Sequence, residues 1–260
     1  MGKPDARSLF VRALRVDSAR ASQPDYALSL PAMRCLAANG LSLRAPVTFF
    51  VGENGTGKST LLEAVAVALG FNAEGGTRNF RFATAATHSA LHEAMVVVRG
   101  TRRPSDGFFL RAESFYNVAT EVDRLDAICP LLPAYGGKSL HAQSHGESFW
   151  SLVMHRFHGD ALYLLDEPEA ALSPTRQLAL LARLHALAGE GAQFLIATHS
   201  PLLMACPGAD IWTLSDEGMQ RTPYEQTEHY VLTRAFLNQP ERMLATLLEP
   251  GADEAPSKAP

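Results

Sequence analysis

The chain has 260 residues, of which 47% are hydrophobic, and a formal net charge of −4. A chain of this size and composition can bury a full core, and large α/β units of this length often form a single domain. It has no apolar run of the ~18 residues that a membrane helix needs, and its first seven residues do not resemble a signal peptide. We therefore expect a cytoplasmic protein without membrane insertion. The negative net charge argues against a globally basic nucleic-acid-binding protein.

Apolar runs alternate with helical patterns along the chain. The predicted strands are residues 9–16, 47–51, 108–110, 161–165, 193–197 and 211–214. The predicted helices are residues 61–69, 174–188 and 225–248, with Ser173 as the N-cap of the second and a break near Pro240 in the third. This alternation predicts an α/β fold with a mainly parallel central sheet and helices on both of its faces.

The predicted elements fall within one expected domain, residues 8–248. Inside it, residues 112–158 have a helical and loop-rich composition, and we expect them to form a small helical lobe on the sheet. The last twelve residues, 249–260, are polar and rich in proline, which predicts a disordered tail.

A glycine-rich segment, called here the phosphate loop (residues 52–60), follows the strand 47–51. It reads Gly-Glu-Asn-Gly-Thr-Gly-Lys-Ser-Thr and matches the pattern GxxxxGK[ST] between a strand and a helix. Its glycines let successive backbone N–H groups point at one anion, and the helix that follows adds its positive N-terminus. Lys58 supplies a cation for the β- and γ-phosphates, and Ser59 offers a hydroxyl to Mg²⁺. The residues predicted to bind ATP in this loop are Gly52, Asn54, Gly55, Thr56, Gly57, Lys58, Ser59 and Thr60.

Two carboxylates, Asp166 and Glu167, follow the apolar strand 161–165 and precede Pro168. This arrangement is typical of the Walker B strand of P-loop ATPases, in which the aspartate binds Mg²⁺. Successive side chains of a strand point to opposite faces, so Glu167 can share the site of Asp166 only if the chain turns there. We then expect Glu167 to orient the attacking water and to accept its proton. The alternative is a solvated acidic turn.

His199 follows the next predicted strand, residues 193–197, at the edge where open α/β sheets bind ligands. A lone histidine is more often structural. From this edge, however, it can donate a hydrogen bond to the γ-phosphate and sense its presence. The predicted catalytic residues are therefore Lys58, Glu167 and His199.

The phosphate loop, Leu-Leu-Asp-Glu-Pro at 164–168 and Ala-Thr-His-Ser-Pro at 197–201, in that order, resemble the motifs of ABC-type ATPases. That class includes transporter subunits and the SMC/RecF-like heads of genome-maintenance proteins. Longer stretches resemble a group of stand-alone bacterial AAA-family ATPases, namely residues 49–55, 70–82, 108–117 and 144–147. The resemblance spans most of residues 8–248 and implies a P-loop NTPase fold, ATP and Mg²⁺ as ligands, and ATP hydrolysis.

ABC-type ATPases carry a signature of the type LSGGQ that opens a helix and contacts ATP bound by a second subunit. Residues 143–147, Gln-Ser-His-Gly-Glu, stand in that place. The resemblance therefore implies that Ser144 and Gly146 bind ATP of a partner and that the chain forms an ATP-dependent head-to-tail homodimer. The sequence departs from the signature at His145 and Glu147, and an ordinary capped helix start is the alternative.

The family's glutamine, which touches Mg²⁺ after the strand 108–110, is absent from this sequence. Glu113 is the candidate in its place, so the resemblance implies Ser59, Asp166 and Glu113 as metal ligands. A plain N-cap or surface role of Glu113 is the alternative. For stacking on adenine, the sequence offers Tyr26 and Phe80 as candidates.

Three functions are compatible with these motifs. The first is a stand-alone SMC/RecF-like ATPase that acts with a nucleic acid or a protein partner. The second is the ATPase subunit of an ABC membrane transporter, which the divergent signature and the short segment between Glu113 and Ser144 disfavour. The third, a P-loop kinase, rarely pairs Asp-Glu with a strand-end histidine. Six arginines against two acidic residues between positions 77 and 111 suggest a nucleic-acid partner, with an ordinary solvated surface as the alternative.

Overall fold

The computed structural model describes residues 9–22, 25–80 and 89–248. In this part of the chain the strands are β1 (Val11–Val16), β2 (Leu41–Ser42), β3 (Val47–Val51), β4 (Met95–Arg99), β5 (Asp106–Arg111), β6 (Ala161–Asp166), β7 (Gln193–Ala197), β8 (Asp210–Ser215) and β9 (Gly218–Arg221). The α-helices are α1 (Tyr26–Ser29), α2 (Pro31–Asn39), α3 (Lys58–Ala68), α4 (Leu91–Ala94), α5 (Phe115–Asp126), α6 (His145–Arg156), α7 (Pro174–Gly189), α8 (Pro201–Met204), α9 (Glu228–Asn238) and α10 (Pro240–Leu248). The tail predicted at 249–260 lies outside the described residues.

The central sheet has six strands in the order β5-β6-β7-β3-β8-β9. The first five are parallel, and β9 pairs antiparallel with β8. The sequence prediction of an α/β fold with a mainly parallel central sheet is therefore confirmed. In such a sheet the carboxyl ends of the parallel strands meet at one edge, where ligands of open α/β sheets bind. The phosphate loop follows β3 at that edge, and Asp166 ends β6 beside it.

A second, antiparallel sheet has the order β2-β1-β4. The strand predicted at 9–16 thus forms β1 of this sheet and does not join the parallel one. The side chain of Gln193, on β7, links the two sheets: its Oε1 accepts from Val11 N at 2.9 Å and its Nε2 donates to Val11 O at 2.8 Å. Both bonds are buried, so this amide satisfies the N–H and the carbonyl of Val11, at the end of β1 where the register with β4 is irregular.

Alternating side chains of the central strands divide the apolar interior into two cores. On β3, Phe49 belongs to the core under α5, α6 and α7, whereas Phe50 belongs to the core shared with α2, α3 and the small sheet. Tyr163 and Leu164 of β6 divide in the same way. Since both faces are covered, the central strands are continuously apolar rather than alternating, which is why their sequences read as buried strands.

Between β5 and β6 the chain forms α5, two 3-10 turns and α6, in the stretch where a helical lobe was expected. The break predicted near Pro240 separates α9 from α10, and none of the residues of these two helices is buried. Within the described residues, no helix is long and apolar enough to cross a membrane.

Candidate functional site

Positive backbone φ angles at three glycines curl the phosphate loop. They are +141° at Gly52, +83° at Gly55 and +94° at Gly57, a region that other residues rarely adopt. A Cβ at Gly52 would lie 2.2 Å from the carbonyl oxygen of Leu214, and one at Gly57 would lie 2.8 Å from Cδ1 of Leu30. At Gly52 the close atom belongs to the backbone, so both space and conformation require glycine. At Gly57 the close atom ends a flexible side chain, so the requirement there is conformational. The hydroxyl of Thr56 donates to the carbonyl of residue 53 at 2.9 Å and holds the curl.

Lys58, the first residue of α3, folds back into the loop. Its Nζ donates to the carbonyl oxygens of Gly52 at 2.8 Å and Glu53 at 2.7 Å, and the residue is 4% exposed. Burial lowers the pKa of Lys58, and the carboxylates of Glu167 and Asp166 act in the opposite direction. The ammonium group thus lies inside the curl with acidic groups of β6 and its following turn as counter-charges.

Ser59 and Asp166 lie next to each other at the edge of the central sheet where the carboxyl ends of its parallel strands meet. The Ser59 hydroxyl donates to Oδ1 of Asp166 at 2.9 Å, and Asp166 is 5% exposed. Burial raises the pKa of Asp166 to about 6, partly offset by the Ser59 hydrogen bond and the charge of Arg111. The negative charges of Glu167 and Glu113 raise it further. A hydroxyl and a buried carboxylate at this spacing form a pair of hard oxygen donors.

Arg111 ends β5 directly beside Asp166 in the parallel register. Its guanidinium forms ion pairs with Glu63 of α3 and with Glu113, and its Nε lies 3.8 Å from Oδ2 of Asp166. Glu113 is exposed, yet its carboxylate is engaged with this guanidinium. The three predicted metal ligands, Ser59, Glu113 and Asp166, nevertheless line one small cavity of about 70 Å³ together with Glu167.

The chain turns sharply at Glu167, as its expected role requires. The residue has φ +50°, and its N–H donates to the carbonyl of Ala197 at 2.9 Å. A positive φ at a non-glycine residue costs free energy and is found where the surrounding structure fixes it. Oε1 of Glu167 then lies 3.8 Å from Nε2 of His199. The turn therefore brings together the two catalytic candidates that follow β6 and β7.

A cavity of about 210 Å³ opens beside the phosphate loop. It is lined by Asn54, Gly55, Gly57, Lys58, Ser59 and Thr60, together with Tyr26, Leu30 and Glu167. Tyr26 is 69% exposed at this cavity, so its ring is accessible to a planar base. Phe80 is 5% exposed within the core, because it packs against Gly76, and this candidate for adenine stacking is wrong.

Two family models match the chain. Residues 28–107 match a model described as an AAA domain, and residues 147–205 match one described as an AAA domain, putative AbiEii toxin, Type IV TA system. The first match contains the phosphate loop, and the second contains Asp166, Glu167 and His199. Two segments of this α/β chain, one with the phosphate loop and one with the acidic pair and His199, are therefore similar to AAA domains.

A solved structure was also matched. The chain is similar to a structure titled "An inward-facing conformation of a putative metal-chelate type ABC transporter", with 17% identity and a TM-score of 0.46. The alignment covers 85% of this chain and 88% of that chain. At this score the likeness carries no conclusion about transport. No curated protein matches the chain.

Ser144 and Gly146 of this chain lie at the N-terminus of α6. The backbone N–H and the hydroxyl of Ser144 both donate to Oε2 of Glu147, at 3.0 and 2.6 Å, in a capping box. Glu147 is therefore occupied in capping. A Cβ at Gly146 would lie 2.8 Å from the carbonyl of Ala171, and its own carbonyl accepts from Arg176 at 2.6 Å. Among the described residues that line the 210 Å³ cavity, neither Ser144 nor Gly146 appears.

Two further residues of the site were missed by sequence reasoning. Oε1 of Glu169 accepts from the backbone N–H of His199 at 2.6 Å, and burial raises the pKa of Glu169. His229 of α9 contacts the ring of His199. Glu169 lies only two residues after Glu167, and this nearness to the acidic pair was the sequence signal that could have identified it. No sequence pattern links His229 to a residue thirty positions earlier.

The arginines between positions 77 and 111 make separate contacts in the described part of the chain. Arg78 lies over the ring of Phe71 at 5.0 Å, and Arg102 forms an ion pair with Asp160. Arg111 pairs with carboxylates beside the phosphate loop, as described above. Arg81 lies outside the described residues. The arginines that the structure describes thus contact different parts of the molecule, and Arg111 is engaged with acidic side chains.

Proposed function

We propose that this chain binds MgATP at the phosphate loop, hydrolyses it, and joins a second copy head to tail while ATP is bound. The observation that carries the proposal is the hydrogen bond between Ser59 and Asp166 beside the buried ammonium of Lys58. In P-loop ATPases these three groups hold the metal and the β- and γ-phosphates. A glycine-rich turn without a ligand would not need a buried carboxylate opposite its serine.

The donor groups fit Mg²⁺. Magnesium prefers oxygen ligands and keeps several waters, and Ser59 with Asp166 supplies one hydroxyl and one carboxylate. Burial raises the pKa of Asp166 to about 6, a cost that a nearby divalent cation offsets. Glu113 is the third proposed ligand, and it would have to leave its ion pair with Arg111. The metal supplies charge neutralisation on the phosphates when it is bound.

The protein groups around the γ-phosphate have distinct roles. Lys58 exchanges its two carbonyl contacts for phosphate oxygens and neutralises charge that develops on the transferring phosphoryl group. Glu167 orients the attacking water and accepts its proton. His199 presents Nε2 beside Glu167 and donates a hydrogen bond to the γ-phosphate. Catalysis is therefore mostly positioning and electrostatic stabilisation.

The position of Ser144 and Gly146 supports action in trans. Neither residue lines the cavity beside the phosphate loop of its own chain, yet a helix N-terminus and a serine hydroxyl suit an anion. A twofold head-to-tail dimer would place each α6 N-terminus on the ATP of the other copy. Binding of two nucleotides then favours the joined state, and hydrolysis favours separation. Such a cycle suits gripping and releasing a nucleic acid or a protein partner.

The test uses Glu167→Gln, which keeps the shape of the side chain and removes the base. We expect this variant to bind MgATP, to lose turnover by at least about a hundredfold, and to elute as a dimer only with MgATP. Glu217→Gln, at the exposed turn between β8 and β9, is the matched control and should behave as wild type. A variant that hydrolyses ATP normally, or that stays monomeric at saturating MgATP, contradicts the catalytic or the dimer part, respectively. Stimulation of the wild type by DNA or RNA would identify a nucleic-acid partner, and co-purification with a membrane protein would indicate transport.

A further inference from the structure

A histidine of the C-terminal helices contacts His199. Nδ1 of His199 and Nε2 of His229, on α9, are 3.1 Å apart, and the two ring centroids are 5.3 Å apart at an interplanar angle of 58°. This is a hydrogen-bonding distance, so one ring donates and the other accepts. The pair connects the end of β7 with an element that follows the whole sheet in sequence.

The second ring nitrogen of His199 faces the reaction site. Nε2 is buried, has no hydrogen-bond partner among the described residues, and lies 3.8 Å from Oε1 of Glu167. A neutral imidazole carries one N–H and one lone pair. With the proton on Nε2, the ring presents a donor to the carboxylate of Glu167. With the proton on Nδ1, it would present a lone pair to a negative charge. Electrostatics therefore favours the Nε2–H tautomer.

This tautomer decides the direction of the bond between the two histidines. If Nε2 of His199 carries the proton, its Nδ1 is an acceptor, and Nε2 of His229 must be the donor. Partial burial lowers the pKa of His199 and of His229. The carboxylate of Glu228 acts against this at His229 and that of Glu167 at His199, while the charge of Lys58 lowers the pKa of both rings. Neutral rings are consistent with one shared hydrogen bond between them.

We propose that His229 is a positioning residue: its Nε2–H holds His199 in the tautomer whose own Nε2–H faces Glu167 and the γ-phosphate. The inference rests on the proposed function, because it takes His199 as the γ-phosphate donor. A histidine's ring orientation and tautomer are commonly set by the bond that its other nitrogen makes. The C-terminal helix α9 is thereby part of the catalytic apparatus.

A movement of α9 could make or break the hydrogen bond between His229 and His199, because this helix is held by few contacts. None of the residues of α9 or α10 is buried, so few contacts fix these helices on the body. On its inner side, α9 places Glu228, His229 and Leu232 around a cavity of about 420 Å³ that Glu53, Asn54 and His199 complete. A shift of α9 would break the histidine pair and slow turnover while the phosphate loop still bound ATP.

The first test is spectroscopic and does not depend on turnover. Long-range ¹H–¹⁵N correlation spectra of the nucleotide-free full chain at pH 7.5 report the tautomer of each histidine, with His199 assigned from a His199→Gln spectrum. We expect the Nε2–H tautomer in the wild type and a mixture of tautomers in His229→Phe. An Nδ1–H tautomer in the wild type, or an unchanged His199 signal in His229→Phe, overturns the proposal.

The second test is kinetic. His229→Phe should lower kcat by about tenfold to a hundredfold, the range found when an orienting partner of a functional histidine is lost, and leave the Kd for ATP within about twofold. His229→Gln, whose amide nitrogen can donate, should recover most of the loss. His185→Phe, on an exposed position of α7, is the control and should match the wild type. Equal losses in the Phe and Gln variants, with both melting as the wild type does, would count against positioning.

These tests distinguish a failure of the proposed ATPase function from a failure of the proposed role of His229. A wild type that binds no ATP or shows no turnover contradicts the proposed function, whereas the tautomer of His199 in the nucleotide-free protein still decides whether His229 positions it. Conversely, normal turnover in His229→Phe leaves the ATPase intact and removes His229 from it.

Discussion

Gly52 lies so close to Leu214 that a Cβ on the glycine would come within 2.2 Å of the leucine's carbonyl oxygen. Leu214 belongs to β8, the parallel neighbour of β3, and Gly52 follows β3. The phosphate loop therefore leaves the sheet by passing directly against the backbone of the next strand. A flexible side chain could move aside, but a carbonyl within a strand cannot without breaking its pairing.

Gly52→Ala should therefore destabilise the fold far more than Gly55→Ala. Both residues have positive φ, but no described atom lies within 4 Å of a Cβ built at Gly55. We expect a loss of about 1 kcal/mol of unfolding free energy for Gly55→Ala, from backbone strain alone. For Gly52→Ala we expect about 3 kcal/mol or more, from strain and overlap together. Urea denaturation measures both, and equal losses would contradict the close approach of Gly52 to β8.

Asp166 should make stability depend on pH when metal and nucleotide are absent. Burial raises its pKa to about 6 from 3.8, so the folded carboxyl binds its proton more tightly than the unfolded one. Its stabilising contribution is then fully present below about pH 4 and is lost as the pH rises through about 6. At about 1.4 kcal/mol per pKa unit, Asp166→Asn should be more stabilising at pH 7.5 than at pH 4 by about 2–3 kcal/mol.

Urea unfolding in EDTA at the two pH values measures this difference. Asparagine still accepts the hydrogen bond from Ser59, so the comparison isolates the charge. Asp216→Asn, in the exposed turn after β8, is the control and should show the same small effect at both pH values. If the effect of Asp166→Asn on the unfolding free energy does not change with pH, the protein itself offsets the cost of burying this carboxylate in its charged form, and the prediction is contradicted.

Lys58→Ala should weaken nucleotide binding without unfolding the protein. The ammonium is buried in the loop on two backbone carbonyls, and its removal takes away the cation that we propose contacts the phosphates. Hydrogen bonds to charged groups contribute about 1.5–3 kcal/mol each, so we expect the Kd for ATP to rise by about tenfold to a hundredfold. Isothermal titration measures the affinity, with Arg44→Ala on an exposed loop as the control. Unchanged affinity would remove Lys58 from the binding site.

Substitutions of Ser144 can distinguish a signature of the type LSGGQ, which contacts ATP of a partner subunit, from an ordinary helix N-cap. Serine, asparagine and aspartate all cap helices well. The amide of Ser144→Asn can still donate to Glu147, whereas the carboxylate of Ser144→Asp repels it, so circular dichroism must show that α6 stays folded in both variants. Aspartate also places a negative charge where a partner's phosphates are expected. In the Glu167→Gln background, Ser144→Asp should therefore abolish the MgATP-dependent dimer, whereas Ser144→Asn should keep a measurable fraction of it. Sedimentation of both variants at the same protein concentration with MgATP measures the fraction of dimer. Equal dimer fractions would indicate that Ser144 only caps α6.

Local patterns predicted the parts of the site that are contiguous in sequence. The strands at 47–51 and 193–197 have the predicted bounds, and Ser173 caps α7 as expected, because its hydroxyl accepts from Arg176 N. The phosphate loop is determined by one segment of nine residues, in which each glycine meets a local backbone requirement. Such features depend on neighbours within a few positions, so the sequence alone could predict them.

Long-range pairings followed no local pattern. The strand at 9–16 is rich in leucine, phenylalanine and valine, as the central strands are, yet it pairs with β2 and β4 in a separate sheet. The ion pairs of Arg111 with Glu63 and Glu113 were also missed, because a charged residue at a strand end reads as solvated unless its partners are known. Composition reports burial and local conformation, and it does not report which distant element supplies the partner.

By itself, the sequence determined that this is a P-loop protein with a glycine loop, an acidic strand end and a strand-end histidine, because each of these depends on a short run of adjacent residues. Only the tertiary structure decided how they meet: Ser59 on Asp166, Glu167 turned toward His199, and His229 brought from α9 to the far side of that ring. The reason is physical. Side-chain chemistry and backbone conformation are local properties, whereas a hydrogen bond between residues far apart in sequence exists only after the sheet order and the packing of both cores have placed them within about 3 Å of each other.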